Sequence, residues 1–276
     1  LVFAKKNIFS GAVNIKNCGD LSFLGQNDFN GTVALLEAGN VVINGDSDGL
    51  SLAGGAECKT LNAKCPVKLN GNVTTTETKT FEGIDCGQFY EKSVFVASDA
   101  VLTDKKAVYV KGGLSSQNKN LNLKIDANAF CESSIDGFLK LEITKMLEVA
   151  GNVGSITPLG TISVFEDAIF SSAEPVQKVI SLGNQKYSGK VTARTGLEIK
   201  AGADGTNVSS VEFSGFDVAG SLSVTADSAE LFCADYISSG DQVFNCSGGV
   251  KILSEKTGIS GTWQSKNGKI ELNETA

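Results

Sequence analysis

The sequence contains no histidine, which narrows the chemistry open to it. Without imidazole there is no histidine-based triad, no histidine metal site and no side chain that ordinarily titrates near neutral pH. Tryptophan and methionine occur once each. A carbohydrate-active enzyme stacks sugars on several exposed aromatic rings, so this composition argues against one. Carboxylate chemistry stays open, but we expect no enzymatic activity, no cofactor and no metal ion.

The sequence also lacks an excess of basic over acidic residues and a long run of apolar residues. Its formal net charge is −7 and its isoelectric point about 4.8. These values argue against nucleic acid as a partner and disfavour anionic membranes. No run of about 18 apolar residues is present, so we expect no transmembrane helix. The chain begins at Leu1 inside strand-like sequence, and we expect it to be a segment of a longer protein.

What the sequence does contain is a repeat of short apolar-x-apolar triplets. The clearest triplets lie at residues 191–193, 211–213, 231–233, 250–252 and 270–272. Their starts are about twenty residues apart, and glycine, aspartate, asparagine and serine fill the segments between them. Alternation of this kind predicts strands, and a fixed period of this length is typical of a stacked β-solenoid.

A single coil of this length cannot bury its own apolar face, whereas stacking the next coil about 4.8 Å away creates a continuous core. We therefore predict an all-β fold, a β-solenoid of about 20-residue coils, and favour a right-handed parallel β-helix. We expect one continuous solenoid over residues 1–276. An antiparallel roll and a β-sandwich are the alternatives. Residues 140–149 fit a short helix or strands, and we favour strands.

Residues 56–92 interrupt the repeat. Residues 74–80 are polar and β-branched, which is typical of an exposed strand or a loop leaving the stack. We favour a poorly matched coil, but would choose this region if one region forms a binding site. Residues 44–49 are similar to part of a calcium loop but lack its distal acidic ligand, so we interpret them as a turn.

Seven cysteines occur, and none forms a Cys-x-x-Cys motif. Cys58 and Cys65 are close enough in sequence to bridge across a loop. Cys233 and Cys246 have a separation that could join neighbouring coils. The alternative, which we favour, is that these residues are small buried apolar side chains.

Four asparagines fit the N-glycosylation pattern Asn-x-Ser/Thr: Asn72, Asn207, Asn245 and Asn273. In a chain rich in asparagine, serine and threonine, four matches arise easily by chance. They are possible glycosylation sites only if the protein is eukaryotic and secreted.

The only other candidate catalytic groups are acidic residues that we expect on neighbouring coils. They are Glu198, Asp217, Asp227, Glu230 and Asp235. Polysaccharide lyases and hydrolases built on β-helices use several such residues projecting from one face. We favour the simpler interpretation of solvated faces on an acidic solenoid.

Residues 189–201, residues 220–226, and residues 136–141 followed by 149–156 resemble coils of filamentous-haemagglutinin-type adhesins. Those proteins are bacterial two-partner-secreted right-handed β-helices. The resemblance covers most of residues 93–272 and implies a non-catalytic extracellular stalk or adhesin. The seven cysteines depart from that family, whose long β-helices are usually poor in cysteine.

Residues 225–230, 240–243 and 248–252 are similar to the repeat of the periplasmic lipopolysaccharide-transport bridge family. That family forms an open antiparallel β-roll that carries an acyl chain of lipid A. The likeness covers about 50 residues and implies a lipid-transport alternative.

These observations together predict a structural or adhesive rod of a secreted, extracellular surface protein. Its expected partners are a protein or glycan surface, or further copies joined end to end through terminal strands into a filament. The alternatives are a periplasmic lipopolysaccharide- or lipid-transport β-roll and a polysaccharide-binding or -cleaving β-helix.

Overall fold

The architecture is taken from a computed structural model. It describes the chain apart from residues 25–26, 30–32, 45–49, 53–54, 117, 206–208, 239–241, 247–249, 260–262, 268–269 and 275–276. Within strands, side chains are not described at residues 27–29, 50–51, 216, 228, 230–238, 242, 250–259, 263, 265–267 and 270–274. The predicted turn at residues 44–49 therefore lies almost wholly outside the described residues.

The chain divides into two compact units, Leu1–Ser133 and Ser134–Ala276. The described residues contain strands and no helix, which confirms the all-β prediction. The first unit contains β1 (Val2–Phe3), β2 (Asn7–Phe9), β3 (Val13–Lys16), β4 (Leu21–Phe23), β5 (Asn27–Phe29), β6 (Val33–Ile43), β7 (Leu50–Leu52), β8 (Ala56–Ala63), β9 (Val67–Leu69), β10 (Val73–Thr75), β11 (Lys79–Phe81), β12 (Ile84–Cys86), β13 (Gln88–Tyr90), β14 (Val94–Val96), β15 (Ala100–Val110), β16 (Leu114–Ser116) and β17 (Asn122–Cys131).

The second unit is built from shorter strands at first and longer ones later. It contains β18 (Ile135–Asp136), β19 (Lys140–Ile143), β20 (Leu147–Val149), β21 (Thr161–Val164), β22 (Ala168–Phe170), β23 (Val176–Ile180), β24 (Gln185–Ala193), β25 (Gly196–Lys200), β26 (Ser210–Val218), β27 (Leu222–Ala226), β28 (Ser228–Ser238), β29 (Gln242–Cys246), β30 (Val250–Ile259), β31 (Trp263–Asn267) and β32 (Ile270–Glu274). The strand interpretation of residues 140–149 is confirmed by β19 and β20.

Successive coils stack through parallel strand pairs about 21 residues apart, which confirms the predicted β-solenoid. In the first unit β6 pairs with β8 and β15 with β17, and in the second β24 pairs with β26 and β26 with β28. Within each unit every described strand pair is parallel except β11–β12. A single continuous solenoid and its right-handed sense stay predictions.

Columns of inward-facing side chains fill the interior of each unit, because strand side chains alternate between the two faces. Two columns in the first unit are Leu21, Val41, Leu61, Gln88, Val108, Ala129 and, beside it, Phe23, Ile43, Ala63, Tyr90, Val110, Cys131. Two in the second unit are Leu141, Ile162, Gln185, Val211 and Ile143, Val164, Tyr187, Phe213. All of these residues are buried.

Asparagine and aspartate side chains hold the corners. A side-chain oxygen at a corner accepts the backbone N–H of a residue on the next coil, at 2.8 to 2.9 Å. Asp20 accepts from Asn40, Asn72 from Val101, Asp99 from Asn122, Asn152 from Lys178, Asp167 from Lys190 and Asn184 from Ser210. These bonds satisfy backbone donors where strand pairing stops, which explains the abundance of these residues at corners.

Candidate functional site

One coil of the first unit carries an inserted hairpin. Strands β10 and β13 both pair in parallel with β8 on one side and β15 on the other. Between them the chain leaves the stack and forms the antiparallel hairpin β11–β12. The irregularity predicted for residues 56–92 is thus confined to an insertion, and the coil itself keeps its register.

The hairpin turns through two residues in the left-handed region, Glu82 at φ 49° and Gly83 at φ 83°. Positive φ at both central residues is the requirement of a type I′ turn, which matches the twist of a two-residue hairpin. Glycine takes this conformation without cost, whereas glutamate is uncommon there. The apolar residues Phe81, Ile84 and Cys86 face the solenoid, and Phe81 and Cys86 are buried.

Four aromatic rings form a ladder on the outer face, three of them on the coils and one in the hairpin itself. Phe89, Tyr109 and Phe130 are in register on three successive coils. Their ring centroids are 5.5 and 5.9 Å apart, and Phe81 of the hairpin stacks on Phe89 at 5.6 Å. We call these four residues the outer ladder. Phe89 is fully buried although it points away from the core, because the hairpin covers it.

The strand residue in register with Phe89 on the preceding coil is Asn62. Its Oδ1 atom is buried and has no hydrogen-bond partner. A buried acceptor without a partner costs about 1–3 kcal/mol.

Ion pairs join the hairpin to the coils around it. Lys106 Nζ lies 2.9 Å from Asp85 Oδ2, and Lys111 Nζ pairs with Glu82. Lys111 Nζ also lies 5.7 Å from the centroid of the Phe89 ring. A hydrogen bond from Lys111 lowers the pKa of Glu82, and hydrogen bonds from Thr80 and Lys106 lower that of Asp85. Because these carboxylates are exposed, each pair contributes little to stability.

The base of the hairpin is held by a buried carboxylate. Asp104 Oδ1 accepts the backbone N–H groups of Lys106 and Ala107, both at 2.7 Å, and Oδ2 accepts the hydroxyl of Thr75. Gly87 approaches so closely that a Cβ atom there would overlap Oδ2 of Asp104 and lie 2.7 Å from the carbonyl oxygen of Glu77. Glycine is therefore required where the hairpin rejoins the coil.

The cysteines lie mostly in the core, in line with the interpretation that we favoured. Cys58, Cys65 and Cys246 are buried. Cys58 and Cys246 carry free thiols in this structure. Burial raises the pKa of Cys58 to about 12 and that of Cys246 to about 11. Cys233 lies on β28, where its side chain is not described, and the disulfides Cys58–Cys65 and Cys233–Cys246 stay predictions.

The predicted glycosylation sites differ in setting. Asn72 is exposed, but its Oδ1 accepts the N–H of Val101 at 2.9 Å and caps a corner. Asn245 is partly buried within β29, between Thr225 and Asn267 on the adjacent strands. Asn207 lies outside the described residues, and Asn273 lies on β32, where only the backbone is described. Glycosylation stays a prediction at all four sites.

The acidic residues considered for catalysis have partners wherever their side chains are described. Glu198 lies 3.9 Å from Lys178 Nζ and Asp217 lies 3.1 Å from Lys190 Nζ. Asp227 Oδ2 accepts the backbone N–H of Ser209 at 2.7 Å. These contacts join neighbouring coils. The side chains of Glu230 and Asp235 are not described.

Among the described residues, no group of three or more aspartate, glutamate or cysteine side chains is placed to hold a metal ion. The same part of the chain includes no helix with the length and hydropathy of a membrane span.

Comparison with known proteins finds no matching family, no similar curated protein and no similar solved structure. The β-solenoid arrangement that the first resemblance implies is confirmed by the structure. The closer likenesses, to filamentous-haemagglutinin-type adhesins and to the lipopolysaccharide-transport bridge, receive no support from these comparisons.

Proposed function

We propose that this chain is a non-catalytic β-solenoid that serves as a structural and adhesive part of an extracellular surface protein. The observation that carries the proposal is the filled interior of both units, in which stacked parallel strands present continuous columns of buried side chains. Such a stack is rigid along its axis and repeats its outer surface every coil. A rigid repeating surface suits a spacer or a row of weak binding sites.

The lipid-transport alternative has less support. An acyl-chain carrier of that kind is an open antiparallel roll, whereas the described strands within each unit pair in parallel, apart from the hairpin. The interior positions that would line a lipid groove are occupied by packed side chains such as Phe23, Tyr90 and Phe213.

The polysaccharide-enzyme alternative also has less support. Glu198 and Asp217 each face a lysine on a neighbouring coil, and Asp227 caps a backbone N–H group. These contacts give the three carboxylates a role in joining coils. They support the interpretation of the acidic residues as outer-face structure.

Sedimentation velocity at several concentrations, followed by negative-stain electron microscopy, tests the proposal on the purified chain. Elongated particles of constant length support a rod, and particles that lengthen with concentration support end-to-end association of copies as well. A compact globule contradicts the rod. Co-purifying lipid detected by mass spectrometry would favour the transport alternative, and release of soluble oligosaccharides from polysaccharide substrates would favour the enzyme.

Binding to surface glycans or proteins tests the adhesive part. Glycan-array and cell-binding assays with the folded chain should show saturable binding that is lost when the chain is heat-unfolded. Equal binding by folded and unfolded chain would contradict adhesion through the solenoid surface.

A further inference from the structure

The stack beneath the hairpin is complete without it. Strand β10 pairs with β8 and β15 before the insertion, and β13 pairs with the same two strands after it. The hairpin's own backbone pairing is internal, between Lys79–Phe81 and Ile84–Cys86. Removing the hairpin from the outer face would therefore break no strand pair of the solenoid.

Both ends of the inserted segment are fixed on the same strand. The backbone N–H of Glu77 donates to the carbonyl of Lys59 at 3.0 Å, and the N–H of Leu61 donates to the carbonyl of Gly87 at 2.8 Å. Lys59 and Leu61 belong to β8. The segment between Glu77 and Gly87 can therefore move about these two closely spaced hydrogen bonds while the coil keeps its strand pairing.

Side-chain contacts are what hold the hairpin down. They are the packing of Phe81, Ile84 and Cys86 against Phe89 and Ala107, and two ion pairs whose side chains are between 31% and 51% exposed. Exposed ion pairs contribute about 0–1 kcal/mol each. The closed state is thus favoured chiefly by this apolar packing.

We propose that the hairpin of β11 and β12 is a strap that opens as a unit and uncovers the outer ladder while the coils beneath it remain stacked. Opening exposes the ring of Phe89 and joins it to the partly exposed rings of Tyr109 and Phe130. Local opening of this kind occurs where a segment has few buried contacts and no strand pairing to the body of the fold.

The chain contains its own reporters of this opening. Cys86 lies on the docking face of the strap, and burial raises its pKa to about 12. In the closed strap this thiol is shielded and protonated, and it becomes reactive when the strap opens. Cys58 is buried in the core in register with Thr75 and is exposed only when coils separate. Both carry free thiols in this structure.

The experiment is site-resolved alkylation of the native chain by iodoacetamide, read by peptide mass spectrometry across low urea concentrations. The strap predicts that Cys86 reacts faster than Cys58 and that its rate hardly changes with urea, because opening exposes little surface. Cys58 should react only when the coils separate, so its alkylation rate should increase steeply with urea concentration. Equal rates at both cysteines with the same urea dependence would overturn the proposal.

Two matched variants sharpen the result. Phe81→Ala removes one aromatic stacking contact and should speed alkylation of Cys86 about tenfold, leaving Cys58 unchanged. Phe95→Ala removes an outward phenylalanine on β14, between Lys68 and Ser115, and should change neither rate. If Phe81→Ala speeds both cysteines equally, the hairpin is an integral part of the fold and no strap exists.

If Phe81→Ala does not fold, Glu82→Gln provides a milder test. It removes the ion pair with Lys111 at the tip of the hairpin. The rate at Cys86 should rise about twofold, as expected for an exposed pair, and the rise should vanish at high salt. An unchanged rate at low salt, together with equal rates at Cys86 and Cys58 in the parent chain, contradicts the strap.

Discussion

Replacing Asp104 by alanine should destabilise the first unit more than any exposed acidic substitution. Asp104 is only 4 % exposed. Its carboxylate is the acceptor for two backbone N–H groups and for the hydroxyl of Thr75. The N–H of Ala107, one of the two backbone donors, belongs to a buried residue.

The size of the effect follows from the donors left behind. Ala107 N–H and the Thr75 hydroxyl would be buried without their acceptor, at about 1–3 kcal/mol each. The hydroxyl can turn to the carbonyl of Thr103, 3.3 Å away, which reduces its share. We therefore expect a loss of about 2–4 kcal/mol in the free energy of unfolding.

Asp99→Ala is the matched control. Asp99 is a corner residue that accepts the N–H of Asn122 at 2.8 Å, but the bond is exposed and water can replace it. Its loss should cost about 1 kcal/mol. Urea unfolding followed by circular dichroism measures both variants, with unchanged m-values as the condition for comparing them. Equal losses for Asp104→Ala and Asp99→Ala would refute the reasoning.

Three further predictions concern single positions. Gly87→Ala should destabilise the hairpin base, because its Cβ overlaps Asp104, and the strap's alkylation assay should show Cys86 exposed. Tyr187→Phe should lower the free energy of unfolding by about 1–3 kcal/mol, since Gln185 Oε1 loses the hydroxyl donor 2.9 Å away. Hydrogen bonds from Asn122 lower the pKa of Asp99. These hydrogen bonds stabilise the folded state above the ordinary Asp99 pKa of 3.8, and that stabilisation is lost as pH falls below it. From pH 6 to pH 3 the thermal midpoint should therefore fall less in Asp99→Asn than in the parent chain.

The stacking of the coils was predictable because the apolar triplets of the sequence repeat at the length of one coil. Val13 pairs with Val33, and Val250 with Ile270, as the spacing of the apolar triplets indicates. Corner chemistry was predictable for the same reason, since asparagine and aspartate recur where strands end. The same alternation runs through both compact units, and the single continuous solenoid stays a prediction.

The hairpin was harder to predict. Residues 74–80 fitted an exposed strand or a loop leaving the stack, and polar β-branched sequence alone does not say that the chain folds back onto the outer face. Glu82-Gly83 is a weak turn signal, because glutamate seldom takes positive φ. Phe89, Tyr109 and Phe130 repeat at coil spacing and could have been recognised as an outward row. That Phe81 adds a ring to this row depends on tertiary packing that no local pattern encodes.

Two buried glutamines, one in each unit, share an arrangement that the apolar pattern does not reveal. Gln88 and Gln185 each begin a strand, each occupy an inward position, and each lie two residues before a buried tyrosine. Each amide nitrogen donates to a carbonyl of its own coil and to one of the next coil, and each amide oxygen accepts the tyrosine hydroxyl.

This recurrence in both units has a physical cause. Where a coil turns into a new strand, carbonyl groups of that coil and of the next lie within reach of an inward side chain, and buried polar groups are more stable when they are hydrogen-bonded. A glutamine supplies two donors from one inward position, and a tyrosine two residues later satisfies the remaining oxygen while filling the core with its ring. A Gln-x-Tyr sequence at the start of a strand is therefore as informative about coil corners in this chain as the glycines and aspartates. An apolar replacement of Gln88 or Gln185 should be less well tolerated than its buried, core-facing position suggests.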